Sequence, residues 1–88
     1  MKYEVEANCV FEEDGNGTPR HDVDVTVKID GHDYYVREHY RYRSGDGRYI
    51  RFYKIDGKEV DGKEIDPEII CILEDEKAES INDANEEA

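Results

Sequence analysis

The sequence lacks the features that would direct it into a membrane or a secretory route. Its apolar runs fall well short of the roughly 18 residues of a membrane span, and Met1-Lys2-Tyr3-Glu4 begins no apolar signal-peptide region. Cations are also scarce, because 12 Lys and Arg stand against 24 Asp and Glu, a net charge of −12 over 88 residues. This balance excludes general adhesion to nucleic acid or to anionic membranes. We therefore expect a soluble, cytoplasmic protein with no membrane partner.

Patterns that carry catalysis or bind metals are missing as well. The sequence has no Ser/His/Asp order, no Gly-rich phosphate loop and no Walker lysine, and paired carboxylates carry no weight in so acidic a chain. His21, His32 and His39 share no metal-ligand spacing. The loop 14–18 begins like a calcium loop, but Pro19 stands where such a loop needs glycine. We expect no enzyme activity, no metal site and no cofactor.

Two cysteines are too few for a disulfide framework. Cys9 lies on the apolar side of an alternating segment, and Cys71 lies inside an apolar run. We expect both to be buried, reduced thiols, because a cysteine without a partner behaves as a small apolar residue. A disulfide between two neighbouring strands stays open as the alternative.

The charge is unevenly distributed along the chain. Residues 1–19 carry one Lys and five acids, a net −4. Residues 20–58 carry nine Lys and Arg and seven acids, a net +2, and they hold most of the tyrosines. Residues 59–88 carry two Lys and twelve acids, a net −10. A mildly basic, tyrosine-rich middle is thus followed by a strongly acidic end.

Alternation of apolar and polar residues dominates the first two thirds of the chain and predicts strands. The expected fold is mainly β, a small antiparallel meander of four to five strands with a long loop at 12–21. The predicted strands cover residues 2–11, 22–29, 33–43, 48–55 and, with an alternative given below, 69–73.

The dipeptide Asp30-Gly31 suits a two-residue type I′ turn and so predicts a register. Val27 should lie opposite Tyr34, and Val25 opposite Val36. Odd positions of one strand then lie opposite even positions of the next, and the same holds across the turn at 44–47. This pattern defines the expected core face, with Tyr40 and Tyr53 as a cross-strand aromatic pair. That face carries Val23, Val25, Val27, Ile29, Tyr34, Val36, Glu38, Tyr40, Tyr42, Tyr49, Arg51, Tyr53 and Ile55. Arg51 should pair with Glu38 there or reach solvent past the sheet edge.

The opposite sheet face is expected to be outward and basic towards the 44–47 turn. In the predicted register Asp24 lies opposite Arg37, and Asp22 lies opposite His39. Cations with interleaved aromatic rings resemble the chemistry of a nucleic-acid stacking platform, although an ordinary solvated face would have the same composition. This basic-aromatic face comprises Tyr35, Arg37, His39, Arg41, Arg43, Arg48, Phe52 and Lys54.

The segment from Asp66 supports two interpretations. Asp66-Pro67-Glu68 is a good helix start, with an N-cap residue, a proline and an acid in order. The run 69–73 is rich in β-branched residues and has strand length, so we predict a strand there, with a helix as the alternative. A single β domain would then cover 1–74, and 75–88 would be an acidic tail, flexible or helical.

The acidic residues around the predicted sheet suggest a function by mimicry. Carboxylates spread over a small scaffold can occupy the basic channel of a protein that otherwise binds nucleic acid. The acids expected to contact such a partner are Glu12, Glu13, Asp14, Glu59, Asp61, Glu64, Asp66, Glu68, Glu74, Asp75 and Glu76.

In size, acidity and lack of catalytic motifs, the chain resembles the small acidic inhibitors that phages encode against host nucleic-acid enzymes, including anti-restriction, anti-CRISPR and glycosylase-inhibiting proteins. The resemblance implies a non-enzymatic inhibitor that acts in the host cytoplasm on a protein with a basic nucleic-acid-binding surface. The basic-aromatic face departs from a pure mimic. The alternative function is therefore a small nucleic-acid- or nucleotide-binding β module that uses residues 34–54, with the acidic tail competing for its basic face. Because that tail would repel phosphate, we do not expect direct nucleic-acid binding.

Overall fold

The computed structural model describes residues 2–13, 19–41 and 50–87, and these form one five-stranded antiparallel sheet followed by a helix. The strands are β1 (Glu4–Glu13), β2 (Pro19–Ile29), β3 (His32–Arg41), β4 (Ile50–Ile55) and β5 (Lys58–Val60), in the order β1-β2-β3-β4-β5. A 3₁₀ turn (Gly62–Glu64) leads into the helix α1 (Pro67–Glu87). The prediction of a mainly β antiparallel meander is confirmed.

The predicted register is confirmed at the β2–β3 hairpin. Val25 lies opposite Val36, and the intervening turn has positive φ at both central residues, 49° at Asp30 and 81° at Gly31. Such angles are those of a type I′ turn, which asparagine, aspartate and glycine tolerate best. Asp56 and Gly57 repeat them at 49° and 83°, which turns β4 into β5. The face assignments that depended on this parity therefore hold for the described strands, whereas Tyr42, Arg43, Arg48 and Tyr49 lie outside the described residues.

Two details of the predicted sheet are wrong. The loop expected at 12–21 is shorter, because β1 continues to Glu13 and β2 begins at Pro19. The calcium-like segment 14–18 lies outside the described residues. The register also places Tyr53 opposite Val36 instead of beside Tyr40, whose ring centroid lies 5.7 Å from that of His21. Tyr40 and Tyr53 are therefore not a cross-strand pair.

The predicted strand at 69–73 is wrong, since this segment forms the first turns of α1. The Asp66 carboxylate accepts a hydrogen bond from the Glu68 backbone N–H at 2.9 Å, so the capping signal prevailed over the β-branched run. As a helix, the segment buries Ile69 and Leu73 one turn apart on the same side. The helix runs through the predicted domain boundary between 74 and 75, and Ile81 beyond it still packs on the core.

The core lies between one sheet face and α1, which packs mainly over β1 and β2. The buried residues of this core are Val23, Val25, Val27, Ile29, Val36, Tyr53, Ile65, Ile69 and Leu73. At the β4–β5 side, the 3₁₀ turn covers Tyr53, and a Cβ added at Gly62 would come within 3.1 Å of the Tyr53 ring. Among the described residues there is no helix with the length and apolar character needed to cross a membrane.

Candidate partner-binding surface

An acidic stripe of four exposed side chains runs along the outer side of α1. Its members are Glu68, Asp75, Glu79 and Glu86. Their spacings of seven, four and seven residues keep them within about 40° of one line on a helix of 3.6 residues per turn. At about 1.5 Å per residue, the stripe extends over roughly 27 Å. We call these four residues the acidic stripe.

No basic residue of α1 offsets the acidic stripe. The helix contains eight acids and a single lysine, Lys77, a net −7. Lys77 is 7% exposed and faces the sheet, where its Nζ lies 2.6 Å from Glu38 Oε2 and also contacts Glu74. The cation is thus neutralised inside the protein, and the charges on the outer side of the helix are all negative.

A buried ionic cluster fixes which side of α1 faces outward. Glu38, which is 6% exposed, contacts Lys77 through one carboxylate oxygen and His21 Nε2, at 2.9 Å, through the other. Tyr53 Oη donates to Glu74 Oε1 at 2.7 Å, and Arg51 Nη1 approaches the same oxygen at 3.5 Å. Within the described residues no buried side-chain nitrogen or oxygen is without a hydrogen-bond partner. The sheet and the helix therefore share one satisfied polar cluster, in which His21, Glu38 and Lys77 are buried while Glu74 and Arg51 lie at its solvent edge.

The ammonium group of Lys77 is held in its charged form. Burial lowers the pKa of Lys77, but the hydrogen bonds to Glu38 and Glu74 outweigh that effect and raise the pKa above its ordinary value. A raised lysine pKa stabilises the fold at every pH below the ordinary value of 10.5, and this contribution is lost only as the pH rises through the higher folded value. The orientation of α1 is thus insensitive to the titration of Lys77 at neutral pH.

Three of the predicted contact acids serve as local caps. The Asp61 carboxylate accepts from the Lys63 backbone N–H at 2.9 Å, and Glu64 accepts from the Asp61 backbone N–H at 2.8 Å, which completes a capping box around the 3₁₀ turn. Asp66 caps α1. These three carboxylates bind backbone N–H groups at the start of the two helical segments. This structural role accounts for them without a binding partner.

The other predicted acids are dispersed. Glu74 belongs to the buried cluster, while Glu59 is exposed on β5 opposite Lys54. Glu12 is paired with Arg20, whose Nε lies 2.9 Å from Glu12 Oε1. The side chain of Glu13 and the whole of Asp14 lie outside the described residues.

Among the last predicted acids, Asp75 belongs to the acidic stripe together with Glu68, whereas Glu76 is half-buried beside it.

Glu79 and Glu86, half of the acidic stripe, are not among the contact acids predicted from the sequence. Their spacing becomes meaningful only when the helix that starts at Pro67 continues through 75–87. The available signal was that the acids at 68, 75, 79 and 86 follow the helical period on the side opposite Ile69 and Leu73.

Two basic residues of the basic-aromatic face, Arg37 and His39, are engaged by the Asp22 carboxylate. Arg37 contacts Asp22 through Nε at 3.3 Å and Nη2 at 3.0 Å, and His39 Nδ1 lies 3.7 Å from the same carboxylate. The hydrogen bond from Arg37 lowers the pKa of Asp22 and raises that of Arg37. Asp24 lies opposite Arg37, as the register predicted. This side of the sheet therefore presents charge pairs.

The aromatic part of that face is covered by a lysine. The rings of Tyr35 and Phe52 lie 6.2 Å apart, and Lys54 Nζ sits 5.8 Å and 5.7 Å from their centroids. Ile50 beside them is 51% exposed. Arg41 is half-buried at the end of β3. A stacked base would have to displace the Lys54 ammonium from both rings.

Neither thiol forms a disulfide. Cys9 is half-buried on the core side of β1, and burial, aided by the Asp22 charge, raises its pKa. Cys71 is exposed on α1, so the prediction that both thiols are buried is wrong for Cys71. The cause is the change from strand to helix, which turns position 71 away from the core. Across 2–13, 19–41 and 50–87, no three His, Cys, Asp or Glu side chains are placed to hold a metal ion.

Comparisons with protein-family models, with curated proteins and with solved structures each find no match for this chain. The two surfaces described above differ in how their charges are compensated. The acidic stripe has charge of one sign along a helix, whereas Arg37 and His39 of the basic-aromatic face are compensated by Asp22.

Proposed function

We propose that this protein is a non-enzymatic binding protein that inserts the acidic stripe of α1 into the basic nucleic-acid-binding channel of a protein partner. The observation that carries the proposal is the set of four exposed carboxylates along one line of a helix whose only lysine is buried. The class resemblance to small acidic phage inhibitors agrees with such a role.

The length and charge of the stripe suit this kind of channel. Roughly 27 Å corresponds to about eight base-pair steps of duplex at 3.4 Å each. A rigid row of carboxylates can displace the counterions of a basic groove, and its field steers the encounter, as the field of a nucleic acid would. The ion cluster below the helix holds the row in place before binding, so little ordering cost arises on association.

Glu68 favours the start of α1 through the helix dipole, but the later acids of the stripe do not favour the helix that carries them. Glu86 lies at the C-terminal end, where the helix dipole makes a negative charge unfavourable, and the last turn contains no basic residue. Asp75 and Glu79 are like charges at i, i+4, an arrangement that costs about 0.2–0.5 kcal/mol. Local stability therefore does not account for Asp75, Glu79 and Glu86, and a binding role does.

Direct nucleic-acid binding by the basic-aromatic face is the second candidate function. It is favoured by the neighbouring rings of Tyr35 and Phe52, which offer a stacking surface. It has less support than the acidic stripe because Arg37 is already bonded to Asp22 and Lys54 covers the rings.

The test is affinity capture with immobilised protein, followed by elution with a DNA or RNA oligonucleotide. The proposal predicts that nucleic-acid-binding proteins are eluted and that the double variant Glu79→Gln with Glu86→Gln retains far less of them. Asp33→Asn with Glu59→Gln is the matched control, because both residues are exposed on the sheet and the net charge changes equally. Equal losses for both variants, or captured proteins that oligonucleotides do not elute, would count against the proposal.

A further inference from the structure

The strand β1 offers a long backbone edge for pairing. It lies at one end of the strand order and has ten residues, whereas β5 at the other end has three. Alternate residues of an edge strand direct their N–H and C=O groups away from the sheet. At about 3.4 Å per residue, the β1 edge is roughly 34 Å long. Its backbone groups are the largest set in the described sheet that a further strand could satisfy.

The side chains of β1 differ between its two faces. On the outer face Glu4 and Glu6 are exposed, and Val10 is 57% exposed. On the core side Cys9 is half-buried, and Ala7 is exposed even though α1 packs over this strand. The core side of the edge therefore has room for another apolar side chain, while the outer side presents carboxylates.

A second copy of the chain is a poor partner for this edge. When two antiparallel strands pair, the residues that lie directly opposite each other have side chains on the same face of the sheet. If β1 pairs with β1 of a second copy, the two longest registers that meet this condition have Asn8 or Cys9 at their centre. The first places Glu4 opposite Glu12 twice, and the second places Glu6 opposite Glu12 twice. Like charges in directly opposite positions are destabilising, and two copies at −12 each also repel.

We infer that β1 is a strand-addition site for an extended segment of another protein, in which Lys or Arg alternates with apolar residues. The basic side chains would lie beside Glu4 and Glu6 on the outer face, and the apolar ones would extend the core side next to Ala7. Backbone hydrogen bonds would supply affinity, and the alternation would supply specificity. This inference does not depend on the acidic stripe, since β1 and the outer side of α1 are separate surfaces.

The probe for this site is a capped eight-residue peptide of alternating Lys and Val, added to the full chain while backbone amide exchange is followed by NMR. The inference predicts that every second amide of β1 becomes protected by about tenfold or more, since only outward N–H groups gain a partner. A capped peptide with four Lys followed by four Val has the same charge and composition, and it should give no such alternation.

Charge reversal separates this site from general attraction to an acidic protein. Glu4→Lys with Glu6→Lys should weaken binding of the alternating peptide by about tenfold or more, whereas Asp33→Lys with Glu59→Lys, an equal change in net charge, should leave it within about twofold. Equal weakening by both variants, or protection confined to α1, would overturn the inference. Protection of β1 that rises with protein concentration alone would assign the edge to a second copy and would also overturn it.

Discussion

Replacing Lys77 by methionine should destabilise the protein strongly, although methionine is apolar and similar in length. The ammonium is the cation between Glu38 and Glu74, and both Lys77 and Glu38 are less than a tenth exposed. Removing one partner of a buried ion pair costs about 3–5 kcal/mol, because the other charge stays buried without it. A chain of this size has a total unfolding free energy of about 4–13 kcal/mol at roughly 0.05–0.15 kcal/mol per residue. The substitution should thus remove a large part of the stability.

Urea unfolding followed by far-UV circular dichroism measures this effect. With an m-value of about 1–1.5 kcal/mol/M, the unfolding midpoint of Lys77→Met should fall by about 2–5 M. Lys63→Met is the matched control, since Lys63 is exposed on the 3₁₀ turn and its loss should change the unfolding free energy by about 0.5 kcal/mol or less.

A double-mutant cycle attributes the loss to the buried carboxylate. Adding Glu38→Gln to Lys77→Met removes the uncompensated charge. The double variant should therefore lose less unfolding free energy than the two single variants lose together, by about 0.5–3 kcal/mol. If Lys77→Met behaved like Lys63→Met and the cycle showed no coupling, the orientation of α1 derived from this cluster would be refuted.

Three further predictions address the sheet, the helix and the pH response. Val25→Asp should unfold the domain in circular dichroism, whereas Lys28→Asp should cost only about 0.5–2 kcal/mol, because it places a carboxylate opposite Glu4 and Asp33 on an exposed face; equal tolerance would mean that the sheet faces are inverted. Ending the chain after Leu73 should abolish cooperative unfolding, because it removes the rest of α1 from the core, and a retained urea transition would contradict this packing. The hydrogen bond to Asp56, together with its charge, raises the pKa of His32, and hydrogen bonds from the Asp33 backbone N–H and from His32 lower the pKa of Asp56. This pair therefore stabilises the fold fully between the ordinary values of 3.8 and 6.5, and the effect is lost as the pH rises through the folded pKa of His32 or falls through that of Asp56. Asp56→Asn should lower the NMR titration midpoint of His32, and an unchanged midpoint would exclude the contact.

The sheet could be predicted from local chemistry, because its signals lie within a few residues of each other. Asp30-Gly31 determines the turn, and the alternation on either side then leaves one register that buries Val25 and Val36 together.

The helix could not be predicted in the same way. The core-facing positions of α1 are 69, 73, 77 and 81, and Lys77 interrupts this apolar series. Its burial is compensated by Glu38, a residue about 39 positions away in sequence that local patterns cannot connect to it. Without that link, the run 69–73 looked like an isolated strand.

The candidate site was predicted in part for the same reason. Glu68 and Asp75 were among the expected contacts, but Glu79 and Glu86 join them only once the segment is helical. The basic-aromatic face was placed on the correct side of the sheet. Its charge compensation by Asp22, diagonal to Arg37, depends on side-chain reach that the register alone does not specify.

The most direct test of the acidic stripe is a competition experiment with a partner purified by the capture described above. A fluorescent oligonucleotide bound to that partner should be displaced by this protein, with an affinity that falls steeply between about 50 and 200 mM salt. Glu79→Gln with Glu86→Gln should displace it poorly, while Asp33→Asn with Glu59→Gln should match the unmodified chain. Binding of this protein and the oligonucleotide to the partner at the same time, or an affinity that salt does not change, would contradict nucleic-acid mimicry.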